Sequence, residues 1–131
     1  MTKATKNIVI GLGVLIVSLV VIFSSTTKAS GGLLGADEFI TKYQSAPGAV
    51  LLDVRTPGEF VAGHIATAIN VDYENPNFVE ELKKLDPTKT YFIYCRSGNR
   101  SSKALVLMKQ NNFQMVYDLR GGVSGSPQLL K

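Results

Sequence analysis

Tyr91-Phe92-Ile93-Tyr94-Cys95-Arg96-Ser97-Gly98-Asn99-Arg100-Ser101 decides how this chain reads. Its first four residues are a short apolar, aromatic run, the pattern of a buried strand. Ser101-Ser102-Lys103-Ala104-Leu105-Val106-Leu107-Met108-Lys109 follows with an apolar stripe at helical spacing. Cys95, the only cysteine of the chain, sits where strand gives way to helix. A loop at such a junction turns successive backbone N–H groups toward one point. The helix start adds the positive end of its dipole there. Both effects favour a thiolate and would cradle an oxyanion. Arg96 and Arg100 add two positive charges. The stretch therefore reads as a nucleophilic sulfur facing a small anionic substrate.

The same strand-then-helix rhythm extends outward from it. Ala36 to Tyr43 has Phe39, Ile40 and Tyr43 at helical spacing, with Asp37 and Glu38 in the first turn. Ala46-Pro47-Gly48 stops that helix, and Ala49-Val50-Leu51-Leu52 reads as a strand buried on both faces. Thr56-Pro57-Gly58-Glu59 makes a capping box, with proline at the first helical position. Ala68-Ile69-Asn70-Val71 reads as a second buried strand, Phe78 to Leu85 as a helix closed by Asp86-Pro87, and Met115 to Leu119 as a further strand. This alternation predicts an α/β fold with a parallel sheet covered on both faces. In such sheets ligands bind beyond the carboxyl ends of the strands. Asp53, Asn70 or Asp72, Cys95 and Leu119-Arg120-Gly121 all fall at those ends.

With these motifs in place, the chain resembles a single-domain rhodanese, a thiosulfate sulfurtransferase-like protein. The resemblance rests on the Cys95 loop and on Leu52-Asp53-Val54-Arg55-Thr56-Pro57-Gly58-Glu59-Phe60-Val61-Ala62-Gly63-His64-Ile65. Ala68-Ile69-Asn70-Val71 and Leu119-Arg120-Gly121-Gly122 continue it. It implies a rhodanese-like three-layer sandwich over residues 36–131, built on a mostly parallel central sheet. It also implies a reaction. Cys95 takes the outer sulfur of thiosulfate or a similar sulfane donor as a persulfide, and a thiol or protein acceptor then removes it. The loop amides from Arg96 to Ser101, with the hydroxyls of Ser97, Ser101 and Ser102, stabilise the charged sulfur. Gly98 lets the loop close, and Arg96 and Arg100 hold the anionic part of the donor. Asn99 completes the loop as a substrate-binding position. Asp53 and Arg55 are expected as a structural ion pair supporting the site, Glu59 as a helix cap, and His64 as a structural histidine. No metal or organic cofactor is implied. One departure stands out: the family commonly has tryptophans after the late glycine pair, whereas this chain has none and offers Val123-Ser124-Gly125-Ser126-Pro127. A short or loose last helix and an open pocket rim are expected.

Two other readings remain beside it. Cysteine phosphatases and arsenate reductases place five residues between cysteine and arginine. Here only Arg96, Ser97, Gly98 and Asn99 separate Cys95 from Arg100, a tighter loop suited to a single sulfur atom. A persulfide carrier or rhodanese-like binding module with little turnover is the other. Because there is one cysteine, the chain cannot resolve its own persulfide as a disulfide.

Composition bounds the rest. The chain has 131 residues and a formal charge of +4. Lys3, Lys6 and Lys28 lie in the leader, so the remainder is nearly neutral and carries no basic block. Nucleic-acid binding is not expected. Ile8 to Phe23 is almost wholly apolar, with Lys3 and Lys6 ahead of it. Residues 1–29 therefore read as a signal peptide or an N-terminal hydrophobic membrane-anchor helix, and residues 30–35 as a linker. The charge order places the following domain outside the cytoplasm: tethered to the membrane, or secreted or periplasmic if the leader is cut after Ala29.

Overall fold

The apolar runs Val50 to Leu52 and Tyr91 to Tyr94 become strands because both faces of each are buried. The structure, a computed structural model, describes residues 30–131. Its elements are β1 (Ser30–Leu34), α1 (Ala36–Ser45), β2 (Val50–Asp53), α2 (Pro57–Ala62), β3 (Ile69–Asn70), α3 (Phe78–Lys83), β4 (Thr90–Tyr94), α4 (Asn99–Gln110) and β5 (Met115–Leu119). Two 3-10 turns, Val123–Gly125 and Pro127–Leu129, end the chain. The five strands form one sheet in the order β1-β5-β4-β2-β3, and every pairing is parallel. All carboxyl ends of the strands therefore lie along one edge.

Alternate residues of one strand feed opposite faces. Leu52 and Ile93 join Phe78, Leu82 and Met108 in the core beneath α3 and α4. Leu51 and Phe92 join Phe39, Leu119 and Val123 in the core beneath α1 and the C-terminal turns. In the second core Phe39 meets Phe92 edge to face at 5.4 Å, a pair worth about 0.5–1.5 kcal/mol beyond its area. The capping box forms as read. The Thr56 hydroxyl accepts from the Glu59 N–H at 3.3 Å and donates to Glu59 Oε1 at 3.1 Å.

Two expectations need correction. Ser30 to Leu34, read as part of a linker, is strand β1, in register with β5 from Ser30 opposite Met115 to Leu34 opposite Leu119. One of the glycines that resembled a tether, Gly31, serves close packing instead. A side chain at Gly31, whose φ is +114°, would lie 1.8 Å from the Val116 carbonyl oxygen. The second correction concerns Ala68 to Val71. Only Ile69–Asn70 is strand, and Ile69 is 51% exposed, because β3 sits at the sheet edge rather than inside it. The expected N-terminal hydrophobic helix of residues 1–29 lies outside the described residues. Among the described residues no helix is long and apolar enough to cross a membrane.

Candidate active site

The site lies at the carboxyl edge of the sheet, where β4 ends and α4 begins. Cys95 follows Tyr94 directly and is 1% exposed. Its Sγ accepts the Gly98 N–H at 3.1 Å and the Ser101 N–H at 3.3 Å. The Ser101 hydroxyl lies 3.4 Å from the same sulfur. Of the loop amides expected around the sulfur, these are the two whose hydrogen bonds reach it. Arg96, Ser97 and Asn99 are exposed.

The loop holds this shape because its carbonyls are engaged on the opposite side. Val123 N–H donates to the Cys95 carbonyl at 3.0 Å, and Ser124 N–H to that of Arg96 at 2.8 Å. Gly122 makes this approach possible. At φ +57°, any Cβ there would sit 2.4 Å from the Arg96 carbonyl oxygen and 2.6 Å from that of Cys95. The glycine pair thus turns the chain, as read, and also clamps the backbone of the loop. With the carbonyls pinned outward, the Gly98 and Ser101 amides face the sulfur.

Asp53 and Arg55 form the structural pair expected of them. Asp53 is fully buried and Arg55 nearly so. Arg55 donates its backbone N–H and its Nε to Asp53 Oδ1 at 2.9 and 3.0 Å, and its Nη2 to Oδ2 at 2.6 Å. The same Nη2 reaches the Gly63 carbonyl at 2.7 Å, fixing the end of α2. Asn70 Nδ2 ties the carbonyls of Asp53 and Arg55 at 2.9 and 2.8 Å. His64 stacks on Phe60 at 3.8 Å and bonds its carbonyl through Nδ1 at 2.8 Å, a structural arrangement.

The two loop arginines are not equivalent. Arg100 grips Glu59 with Nη1 and Nη2 at 2.8 and 3.0 Å and lies 3.4 Å from Glu74. Its charge is thus committed to α2, and Glu59, expected only as a cap, is its partner. This clamp holds the Glu59 carboxyl down at about 2, chiefly through the Arg100 hydrogen bond. Arg96 enters none of the ion pairs of the site. It lines a cleft of about 330 Å³ with Arg55, Glu59, Val123, Ser124 and Pro127. The small residues that stand in place of tryptophan, Val123 and Ser124, form part of that wall.

Asp118 was not singled out from the sequence. It is 1% exposed on β5, and among the described residues its Oδ1 has no hydrogen-bond partner. Burial pushes its carboxyl up to about 6, against the opposing pull of the Ser101 hydroxyl and the Leu119 N–H. An Asp-x-Arg spacing, shared with Asp53-Val54-Arg55, marks the position but not its environment.

Comparison with known proteins places this geometry. Residues 36–126 match the model of a family described as the rhodanese-like domain. The chain is 39% identical over 83 residues to thiosulfate sulfurtransferase 16 of Arabidopsis thaliana, covering 56% of this chain and 69% of that one. It is 32% identical over 101 residues to a tRNA uridine(34) hydroxylase of Onion yellows phytoplasma (strain OY-M), covering 74% of this chain. It spans only 32% of the hydroxylase's length. A rhodanese-related protein from Thermoplasma volcanium superposes with a TM-score of 0.63 at 28% identity, covering 72% of this chain and 89% of that one. By the family match and the shared fold, the chain belongs to the rhodanese-like domain family.

Proposed function

We propose that the chain is a sulfurtransferase moving sulfane sulfur from thiosulfate, or a similar anionic donor, to a thiophilic acceptor through a persulfide on Cys95. The observation that carries this reading is the convergence of the Gly98 and Ser101 amides on a single sulfur atom at 3.1 and 3.3 Å. Donors aimed at one atom stabilise negative charge on that atom, whether it is thiolate or persulfide. In the first half-reaction the Cys95 thiolate attacks the outer sulfur of thiosulfate. A new S–S bond forms, the old one breaks, and sulfite leaves with the electron pair. In the second, an acceptor such as cyanide or a thiolate attacks the outer sulfur of the persulfide, and the Cys95 thiolate departs. Ping-pong kinetics follow.

Arg96, exposed and outside the ion pairs, is the cation that faces the sulfite end of the donor. Arg100 braces the loop. The short loop between Cys95 and Arg100 favours one transferable sulfur over the oxygens of a phosphate. A carrier that yields its persulfide only to a protein acceptor shares the first half-reaction and differs in the second. The leader of residues 1–29 extends the proposal to location. It exports the domain, which then acts outside the cytoplasm, either anchored or released. Cleavage before Ser30 would leave β1 whole.

Treatment of the purified chain with thiosulfate is expected to add one sulfur atom to its intact mass. Cyanide is then expected to remove it as thiocyanate. Cys95→Ser abolishes both. Unchanged mass, or transfer retained in that variant, would overturn the proposal.

A further inference from the structure

We propose that Glu59 is a specificity-determining residue. By neutralising Arg100 it leaves one working cation at the site, and so selects an organic thiosulfonate, which carries a single negative charge, over thiosulfate, which carries two. The proposal rests on the reading of Cys95 as the sulfur-accepting nucleophile and narrows the class of donor.

Three charged side chains line one cleft beside the Cys95 loop: Arg55, Glu59 and Arg96. Arg55 belongs to Asp53, which takes its Nε and Nη2 at 3.0 and 2.6 Å. Glu59 belongs to Arg100, whose Nη1 and Nη2 reach its two oxygens at 2.8 and 3.0 Å. The Thr56 hydroxyl also donates to Glu59 Oε1 at 3.1 Å, so the carboxylate is held from α2 as well as from α4. It stays ionised at neutral pH, since this clamp holds it down at about 2. Glu74 lies 3.4 Å from the same guanidinium and adds a further negative charge. Arg96 is thus the one cation of the cleft without an ion pair among the described residues.

Arg100 would otherwise serve as the second cation. The next residue, Ser101, donates its N–H to the Cys95 sulfur at 3.3 Å, so the base of the Arg100 side chain stands beside that sulfur. Glu59, 41 residues away in the chain, turns the guanidinium to α2. A carboxylate in bidentate contact cancels most of the field that a guanidinium casts at a distance. Arg96 alone then balances one negative charge, and a second charge on the donor meets a neutral pair.

The size of the cleft points the same way. At about 30 Å³ for each of its five non-hydrogen atoms, thiosulfate fills less than half of about 330 Å³. Ala62, Val123, Pro127 and Leu130 give the remainder an apolar wall, which a carbon substituent would cover. In the step itself the Cys95 thiolate attacks the outer sulfur of the thiosulfonate. A new S–S bond forms, the old one breaks, and the organic sulfinate leaves with the electron pair.

The test uses anions that bind but carry no transferable sulfur. Sulfate and methanesulfonate share a tetrahedral head and differ by one charge. Each is titrated at constant ionic strength as a protectant of Cys95 against iodoacetamide. In the native chain methanesulfonate is expected to protect at least as well as sulfate, and butanesulfonate at least about threefold better than methanesulfonate. In Glu59→Gln the amide keeps a hydrogen bond to Arg100 but not the charge, and sulfate should gain about fivefold on methanesulfonate. Glu59→Asp keeps the charge, so its ratio should stay at the native value although the brace is shorter. A gain in Glu59→Asp equal to that in Glu59→Gln would assign the effect to loop geometry and overturn the proposal. Sulfate protecting the native chain better than methanesulfonate, an unchanged ratio in Glu59→Gln, no advantage of the longer carbon chain, or no protection by any of the three overturns it equally. Protection does not depend on sulfur transfer. If the ratios hold while neither thiosulfate nor methanethiosulfonate adds sulfur to Cys95, the proposed function fails and the selection of single charges stands.

Discussion

β2 and β5 flank β4, and each carries a buried aspartate near its carboxyl end followed two residues later by arginine. Asp53-Val54-Arg55 and Asp118-Leu119-Arg120 read alike, yet they fold into opposites. After β2 the chain turns, Arg55 donates its own N–H to Asp53, and the guanidinium folds back onto the carboxylate. After β5 the Arg120 N–H donates instead to the Leu34 carbonyl of β1 at 2.8 Å, and the residue stays exposed. Among the described residues Asp118 is left without a cation. Burial thus produces two kinds of acid within one sheet. One is bound into a loop-fixing ion pair, and the other is buried on β5 with one carboxyl oxygen unpartnered among the described residues.

Breaking the first pair carries the largest expected effect. Arg55→Ala leaves Asp53 buried and unpaired, and is expected to cost about 3–5 kcal/mol in urea unfolding. A loss under about 1 kcal/mol would show that Asp53 does not depend on its arginine.

Next comes the pH dependence of the second aspartate. Folded, Asp118 keeps its proton up to about pH 6, whereas the ordinary value is 3.8. Between these values the folded chain binds more protons than the unfolded one. The contribution of Asp118 to stability is therefore lost as pH rises through that window, by about 2–3 kcal/mol. Urea midpoints of native and Asp118→Asn chains across the window should diverge accordingly.

Arg100→Ala tests the half-exposed pair and is expected to cost about 1–2 kcal/mol. Glu59 behaves oppositely to Asp118. Its folded value near 2 lies below the ordinary 4.5, so its contribution is present above pH 4.5 and fades as pH falls toward 2. The variant should lose that acid dependence, read from the same unfolding curves. Arg120→Ala completes the comparison. It is expected to change stability by no more than about 0.5 kcal/mol, because its side chain is exposed and outside every ion pair described. A cost matching that of Arg55→Ala would mean that the two Asp-x-Arg segments are equivalent after all.

Much of the fold was legible where local rules agree with burial. Leu51-Leu52 and Phe92-Ile93 are apolar on both faces because the parallel sheet is covered on both. The Thr56 capping box is a local hydrogen-bond pattern and needed no tertiary information. The Cys95 loop was legible for the same reason, since strand, thiol, glycine and helix start are consecutive. What failed was long-range. Gly31 and Gly32 gave a tether signal because glycine marks flexibility and close backbone approach alike. Only pairing with β5 separates these. Glu59 was visible as a cap but not as the partner of Arg100, which is 41 residues away.

From the sequence alone came the alternating α/β architecture, the position of the sulfur at a strand end, and the local pairing of Asp53 with Arg55. These depend on neighbours in the chain and on a repeating pattern of apolar residues. The tertiary structure alone decided which arginine faces solvent, how Gly122 pins the loop carbonyls, and that Asp118 is buried without a cation among the described residues. Each of these depends on groups brought together from distant strands, where burial, not spacing, fixes the energy of a charge.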